Sequence, residues 1–201
     1  MAGIGIFGGT FDPPHLGHLI LAEEAHHQLG LDRLLWVLTP DPPHKQNKYI
    51  TPLQHRLDML RVTIAGDPNF ELCPVDIERP GPHYAVDTVR ILKEQQPGVA
   101  WYYLMGGDSL NDLHTWRKPH ELLASVTALG VMIRPGTKID LVEIEKKTLG
   151  VSAKVKLINA PLIGISASDI RQRIARGLPY RYLVPLEVYN IIHERGLYRV
   201  K

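Results

Sequence analysis

The chain has 201 residues, of which 44% are hydrophobic and 22% charged, enough for one folded domain spanning 1–201 with a substantial core. Its 23 basic residues against 21 acidic ones leave a formal charge of +2, which makes no electrostatic case for a nucleic-acid or membrane partner. No stretch approaches the ~20 apolar residues of a membrane span, the N-terminus lacks a basic segment followed by an apolar signal core, and the single cysteine, Cys73, excludes an internal disulfide and a multi-cysteine metal site, so a cytoplasmic setting is expected.

The chain opens with a short apolar run, Ile4 to Phe7, of strand character, and breaks at Gly8-Gly9. Pro13 and Pro14 keep the chain extended, and from about His15 the residues Leu16, Leu19, Ile20 and Ala22 recur at helical spacing. A glycine-bearing turn between a strand and a helix presents backbone N–H groups where the helix dipole adds positive potential, a place that attracts phosphate. His15 and His18, three apart, project from one face of the first helical turn, with Gly17 between them removing a side chain. A zinc pair is the competing reading, but the first histidine has no neighbouring Glu and no cysteine lies nearby. The stretch fits neither the P-loop nor the dinucleotide fingerprint.

Gly30 reads as a helix C-cap, and Arg33 to Thr39 as a second, buried strand. The proline-rich residues 40–51 form a long polar loop in which His44 and Lys45 are candidates for an anion, and Thr51 reads as an N-cap with Pro52 opening a helix to about Ala65. A third strand is expected at Phe70 to Val75, with Cys73 as a core hydrophobe, and a third helix at about Tyr84 to Gln96. Val99 to Met105 reads as a fourth strand leading into Gly106-Gly107-Asp108. There Asp108 either accepts hydrogen bonds from ribose hydroxyls or caps a short helix. Trp116 stands in a polar loop, as a buried anchor or a stacking surface.

A helix near Pro119 to Ala124 precedes a fifth strand, Val126 to Ile133, which ends at Arg134. After a charged helix over 139–148 and a sixth strand at Lys156 to Asn159 comes Ile165-Ser166-Ala167-Ser168-Asp169-Ile170-Arg171. Ser166 or Ser168 can cap that helix and Arg171 lies one turn in, a second helix start suited to phosphate. Pro185 to Arg195 reads as a closing helix. The alternation predicts an α/β, Rossmann-like, doubly wound parallel sheet with a helical C-terminal end.

The run Gly8-Gly9-Thr10-Phe11-Asp12-Pro13-Pro14-His15-Leu16-Gly17-His18 resembles the signature of the nucleotidyltransferases that carry an HxGH motif. Within them, Pro42-Pro43-His44-Lys45, Gln54 to Leu60, His83 to Val89, Thr115-Trp116 and Ile165 to Arg171 resemble segments of the bacterial nicotinate mononucleotide adenylyltransferases. That resemblance implies transfer of AMP from ATP to nicotinate mononucleotide, giving deamido-NAD and pyrophosphate. It places Gly8, Gly9, Thr10, Phe11, His15, His18, Ser166, Ser168 and Arg171 on ATP, with the two histidines catalytic. Lys45, Tyr84, Ala85, Thr88, Asp108, Trp116 and Arg134 then line the mononucleotide side. It implies Mg²⁺ carried mainly by the ATP phosphates, with no protein metal ligand. Ala85 departs from the threonine usual there, so selectivity between acid and amide substrates is open. Pantetheine phosphate adenylyltransferases share the outer motifs, a non-catalytic nucleotide sensor could use the same fold, and nucleic-acid binding through the Arg-rich segment 171–199 is disfavoured by the near-neutral charge.

Overall fold

The computed structural model describes residues 2–42, 49–133, 136, 138–161 and 164–200. Among them six parallel strands form one sheet: β1 (Gly3–Gly9), β2 (Arg33–Leu38), β3 (Phe70–Cys73), β4 (Ala100–Gly106), β5 (Ala128–Met132) and β6 (Val155–Ile158). Their order is β3-β2-β1-β4-β5-β6. Helices α1 (Leu16–Leu29), α2 (Leu53–Ile64), α3 (Ala85–Gln95), α4 (Gly107–Asn111), α5 (Pro119–Ser125), α6 (Leu141–Lys147), α7 (Ala167–Ala175) and α8 (Leu186–Glu194) connect and follow the strands.

Strand alternation divides the core between the two faces of the sheet. Ile4, Ile6, Leu35, Val37, Trp101 and Met105 pack under α3, α4 and α5, through Val86, Val89, Leu110 and Leu122. Phe7, Leu34, Trp36, Leu38 and Leu104 pack on the other side against Leu21, Ala22 and Ala25 of α1 and Leu57 and Leu60 of α2. Burial on both sides explains why β2 reads as an unbroken apolar run. A third cluster, Met59, Ile170, Ile174, Val184, Val188 and Ile192, fastens the C-terminal helices to α2.

Gly30 does end α1, at φ +59, with its N–H on the His26 and His27 carbonyls. Two expected caps are not formed. Pro52, not Thr51, occupies the N-cap of α2, because the Thr51 backbone is buried and engaged elsewhere. Gly106 is the N-cap of α4, which puts Asp108 inside the first turn. Cys73 is buried at the end of β3, where burial pushes its thiol up, as suits a core hydrophobe rather than a nucleophile.

In this strand order the chain reverses its direction of growth between β1 and β4, and ligands of such sheets bind beyond the strand ends at that switch point. Gly8-Gly9 ends β1 and Gly106 ends β4, side by side: Phe7 pairs with Leu104. The crevice between them is where a site is to be sought.

Candidate active site at the β1–β4 switch point

Two adjoining cavities open at that crevice. One, of about 410 Å³, is walled by Gly8, Gly9 and Thr10 on one side and by Tyr84, Ala85, Asp108 and Trp116 on the other. The second, of about 270 Å³, shares the glycine-rich wall and runs past Phe11 to Gly17, His18 and Gly106. Tyr103, Ser109 and Trp116 line both cavities as well.

The turn after β1 is held by its aromatic residue. Phe11 sits at φ +47, a left-handed conformation that costs a non-glycine residue roughly 1–3 kcal/mol. Its ring is buried, edge-on to Phe7 at 5.4 Å and to His18 at 5.1 Å. A Cβ on Gly9 would come within 2.9 Å of that ring, so glycine is required where the turn folds back on itself.

His15 is the N-cap of α1 and is buried, its ring stacked on His18 with centroids 3.6 Å apart. The His15 backbone N–H donates to His18 Nδ1 at 3.1 Å. Nδ1 is therefore an acceptor, and the neutral His18 ring carries its proton on Nε2, the donor that a phosphate oxygen requires. Gly17 lies so close to His15 that a Cβ would meet its ring at 3.1 Å. The Leu16 N–H donates to the Leu183 carbonyl, so the helix start offers fewer backbone donors than an open N-terminus would. Gly17 N–H, which makes no hydrogen bond among the described residues, lies on the cavity wall beside His18.

The start of α7 lies against the start of α1. Ser166 caps α7, its Oγ accepting from Asp169 N–H at 3.1 Å, while Ser168 sits exposed in the first turn. The Ile165 carbonyl lies 3.7 Å from where a Gly17 Cβ would be. Arg171 Nη1 donates to the Asp12 carbonyl at 2.6 Å, joining motifs 159 residues apart. That bond uses one of the five N–H donors of the guanidinium.

A model of cytidylyltransferase-like proteins matches residues 6–173. A protein of Thermomicrobium roseum named "probable nicotinate-nucleotide adenylyltransferase" is 46% identical over 99% of this chain and 92% of its own length. The chain belongs to the nicotinate-nucleotide adenylyltransferase family. A relative of the same name from Halalkalibacterium halodurans is 40% identical over 99% of this chain and 92% of its own length. The fold is also that of the Plasmodium falciparum nicotinic acid mononucleotide adenylyltransferase solved with NaAD, at TM-score 0.81 and 24% identity over 98% of both chains.

As a nicotinate-nucleotide adenylyltransferase family member, the chain brings Gly8 to Phe11, His18, Tyr84, Ala85, Asp108 and Trp116 to one crevice. Trp116 is half-buried, packed on the core behind and edge-on to Tyr103 at 6.1 Å, so it is at once an anchor and a wall of the cavity. Thr88 stands apart. Its buried hydroxyl donates to Asp76 at 2.8 Å, within a network that includes Arg79, and it lines neither cavity. Lys45 and Arg134 lie outside the described residues, as does His44.

Four residues absent from the sequence-based site hold it together or line it. The buried Asp12 carboxylate accepts from Tyr198 Oη at 2.8 Å and from Thr51 N–H at 3.3 Å. Burial, then the Asp12 charge, pushes the Tyr198 phenol far above its ordinary range, so it remains a donor. Arg56, 2% exposed, donates to four carbonyls: Nε to Thr51 at 2.8 Å, Nη1 to Thr10 at 3.0 Å and Thr39 at 2.9 Å, and Nη2 to Pro40 at 2.8 Å. Burial lowers its affinity for the proton, and Asp12 opposes that. Only the family segment Gln54 to Leu60 hinted at Arg56. The fourth, Tyr103, gave no signal beyond its place in an apolar strand.

Proposed function

We propose that this chain transfers AMP from ATP to nicotinate mononucleotide in the cytoplasm, releasing pyrophosphate and forming deamido-NAD. The observation that carries the reading is the joining of two chemically different cavities through one glycine-rich wall. Tyr84 and the Asp108 carboxylate, beside the Trp116 that borders both cavities, give the first a surface suited to a pyridine ring and its ribose, and His18 and Gly17 give the second one suited to phosphates. The names carried by relatives at 46% and 40% identity support the same substrate pair.

In this reading an oxygen of the mononucleotide phosphate attacks the α-phosphorus of ATP. As that P–O bond forms, the bond to the bridging oxygen toward the β-phosphate breaks and pyrophosphate departs. The attacking phosphate is already anionic, so no general base is needed. The chain supplies position and charge: His18 Nε2–H at the reacting phosphate, with His15, Ser166, Ser168, Arg171 and the backbone of Gly8 to Phe11 on the triphosphate. Asp12, the carboxylate of this turn, has its oxygens occupied by Tyr198 and Thr51, and the other groups facing the phosphates are donors. Such a surface fits Mg²⁺ held by the ATP phosphates and water, where it neutralises developing charge.

Pyrophosphate release by the purified protein should require both ATP and a mononucleotide, with the acid form preferred to the amide in direct competition. Absence of dinucleotide with both the acid and the amide form would refute the assignment. Turnover with phosphopantetheine instead would move the chain to the related adenylyltransferase class.

A further inference from the structure

The wall common to both cavities carries a polar group that the roles above leave unused. Tyr103 of β4 is 8% exposed, yet it lines the aromatic cavity and the glycine-rich one alike. Its ring stands at 82° to that of Trp116, and its hydroxyl lies over β1, 3.0 Å from where a Cβ on Gly8 would be. Among the described residues this hydroxyl makes no hydrogen bond. The residue lines both cavities and its hydroxyl is open to them, so an oxygen of a bound ligand can take the place of solvent as its partner. Burial also drives its ionisation well above the ordinary phenol range, which leaves it a neutral donor rather than a negative charge beside an anion.

Where that hydroxyl stands identifies what it would meet. If the pyridine ring occupies the Trp116 side and the reacting phosphate approaches His18, the ribose phosphate between them must cross the shared wall of Gly8, Gly9, Thr10 and Tyr103. We infer that Tyr103 is a binding residue for the mononucleotide, its Oη donating to an oxygen of the ribose 5′-phosphate as the substrate passes from one cavity to the other. The inference rests on the adenylyl-transfer reading and adds to it a donor from the middle of a core strand, outside the motifs that resemble the family.

Tyr103→Phe tests it, since the ring and its contact with Trp116 are kept and only the oxygen is lost. The variant should raise KM for nicotinate mononucleotide about tenfold or more, the usual effect of losing a hydrogen bond to a charged group. KM for ATP should stay within about twofold, and Tm should not fall, because no hydrogen bond within the protein is lost. Calorimetric titration of nicotinate mononucleotide into wild type and variant reads the same weakening without turnover. An unchanged mononucleotide KM and affinity would overturn the inference, as would equal losses for both substrates or a lowered Tm, either of which marks a structural hydroxyl. Wild-type protein that binds the mononucleotide but makes no dinucleotide would sink the parent reading instead, and the titration would still decide the role of Tyr103.

Discussion

Replacing His18 with alanine should reduce kcat by about 10²- to 10³-fold while changing ATP affinity by less than about fivefold, the pattern of a donor whose hydrogen bond strengthens as charge develops. The structure gives the reason for expecting such a split. His18 Nδ1 is held by the His15 backbone N–H at 3.1 Å, and the ring is flanked by His15 at 3.6 Å and Phe11 at 5.1 Å, so the orientation of Nε2 is set before substrate arrives. Donors fixed in advance are most effective toward the transition state, because little reorganisation is left at the moment of reaction. Ground-state binding of the triphosphate is shared with His15, Arg171 and the Ser166 helix start in the proposed arrangement, and survives loss of one imidazole. His18→Gln, whose amide can place an N–H near the position of Nε2, should recover part of the lost rate. Single-turnover kinetics with separate ATP binding measurements check this. Equal losses in kcat and in ATP affinity would make His18 a binding residue only.

Arg56→Met should destabilise the fold by about 3–5 kcal/mol, the range seen when one partner of a buried charged network is removed. For a protein of this length that corresponds to a fall in Tm of about 10 °C. The methionine keeps an apolar stem of similar length but leaves the carbonyls of Thr10, Thr39, Pro40 and Thr51 without their donor. Those carbonyls belong to the turn after β1, the exit of β2 and the residues before α2, which one guanidinium draws together. Arg56→Lys should rescue little, since an ammonium on a flexible stem cannot span four acceptors set out for a planar fork. Because Thr10 is also on the cavity wall, KM for both substrates should rise in whatever Arg56→Met protein folds. Thermal unfolding followed by circular dichroism reads the first effect. A Tm within about 2 °C of wild type would contradict this role.

What could be read from the chain in advance followed physical periodicity. Most strands announce themselves as short apolar runs, several of them ended by Gly or Pro, and Gly30 is a helix stop because only a residue at ease with φ +59 fits there. The first motif was legible as a strand exit followed by a helix start, because glycines and prolines at that spacing punctuate the chain, and the structure brings its residues to the cavities at the switch point. What escaped depends on residues far apart in sequence. Thr51 has the chemistry of an N-cap, but its backbone is taken by Asp12 and Arg56, a competition that no local window contains. Tyr198 lies near the end of the chain and bonds Asp12, 186 residues earlier. Thr88 falls in a segment that resembles the family's substrate side, yet Asp76 and Arg79 draw its hydroxyl away from the crevice. Arg171 combines both situations: its place in a capped helix was evident, and its bond to the Asp12 carbonyl was not.

The central physical claim is that the imidazoles at the start of α1 and the Ser166–Arg171 start of α7 serve one phosphate chain. A crystal structure with a non-hydrolysable ATP analogue and nicotinate mononucleotide tests this most directly. In that crystal His18 Nε2 should lie within hydrogen-bonding distance of the α-phosphate, Ser166, Ser168 or Arg171 on the same triphosphate, and the pyridine ring against Trp116. A triphosphate bound away from either helix start, or a pyridine ring outside the Trp116 cavity, would contradict it.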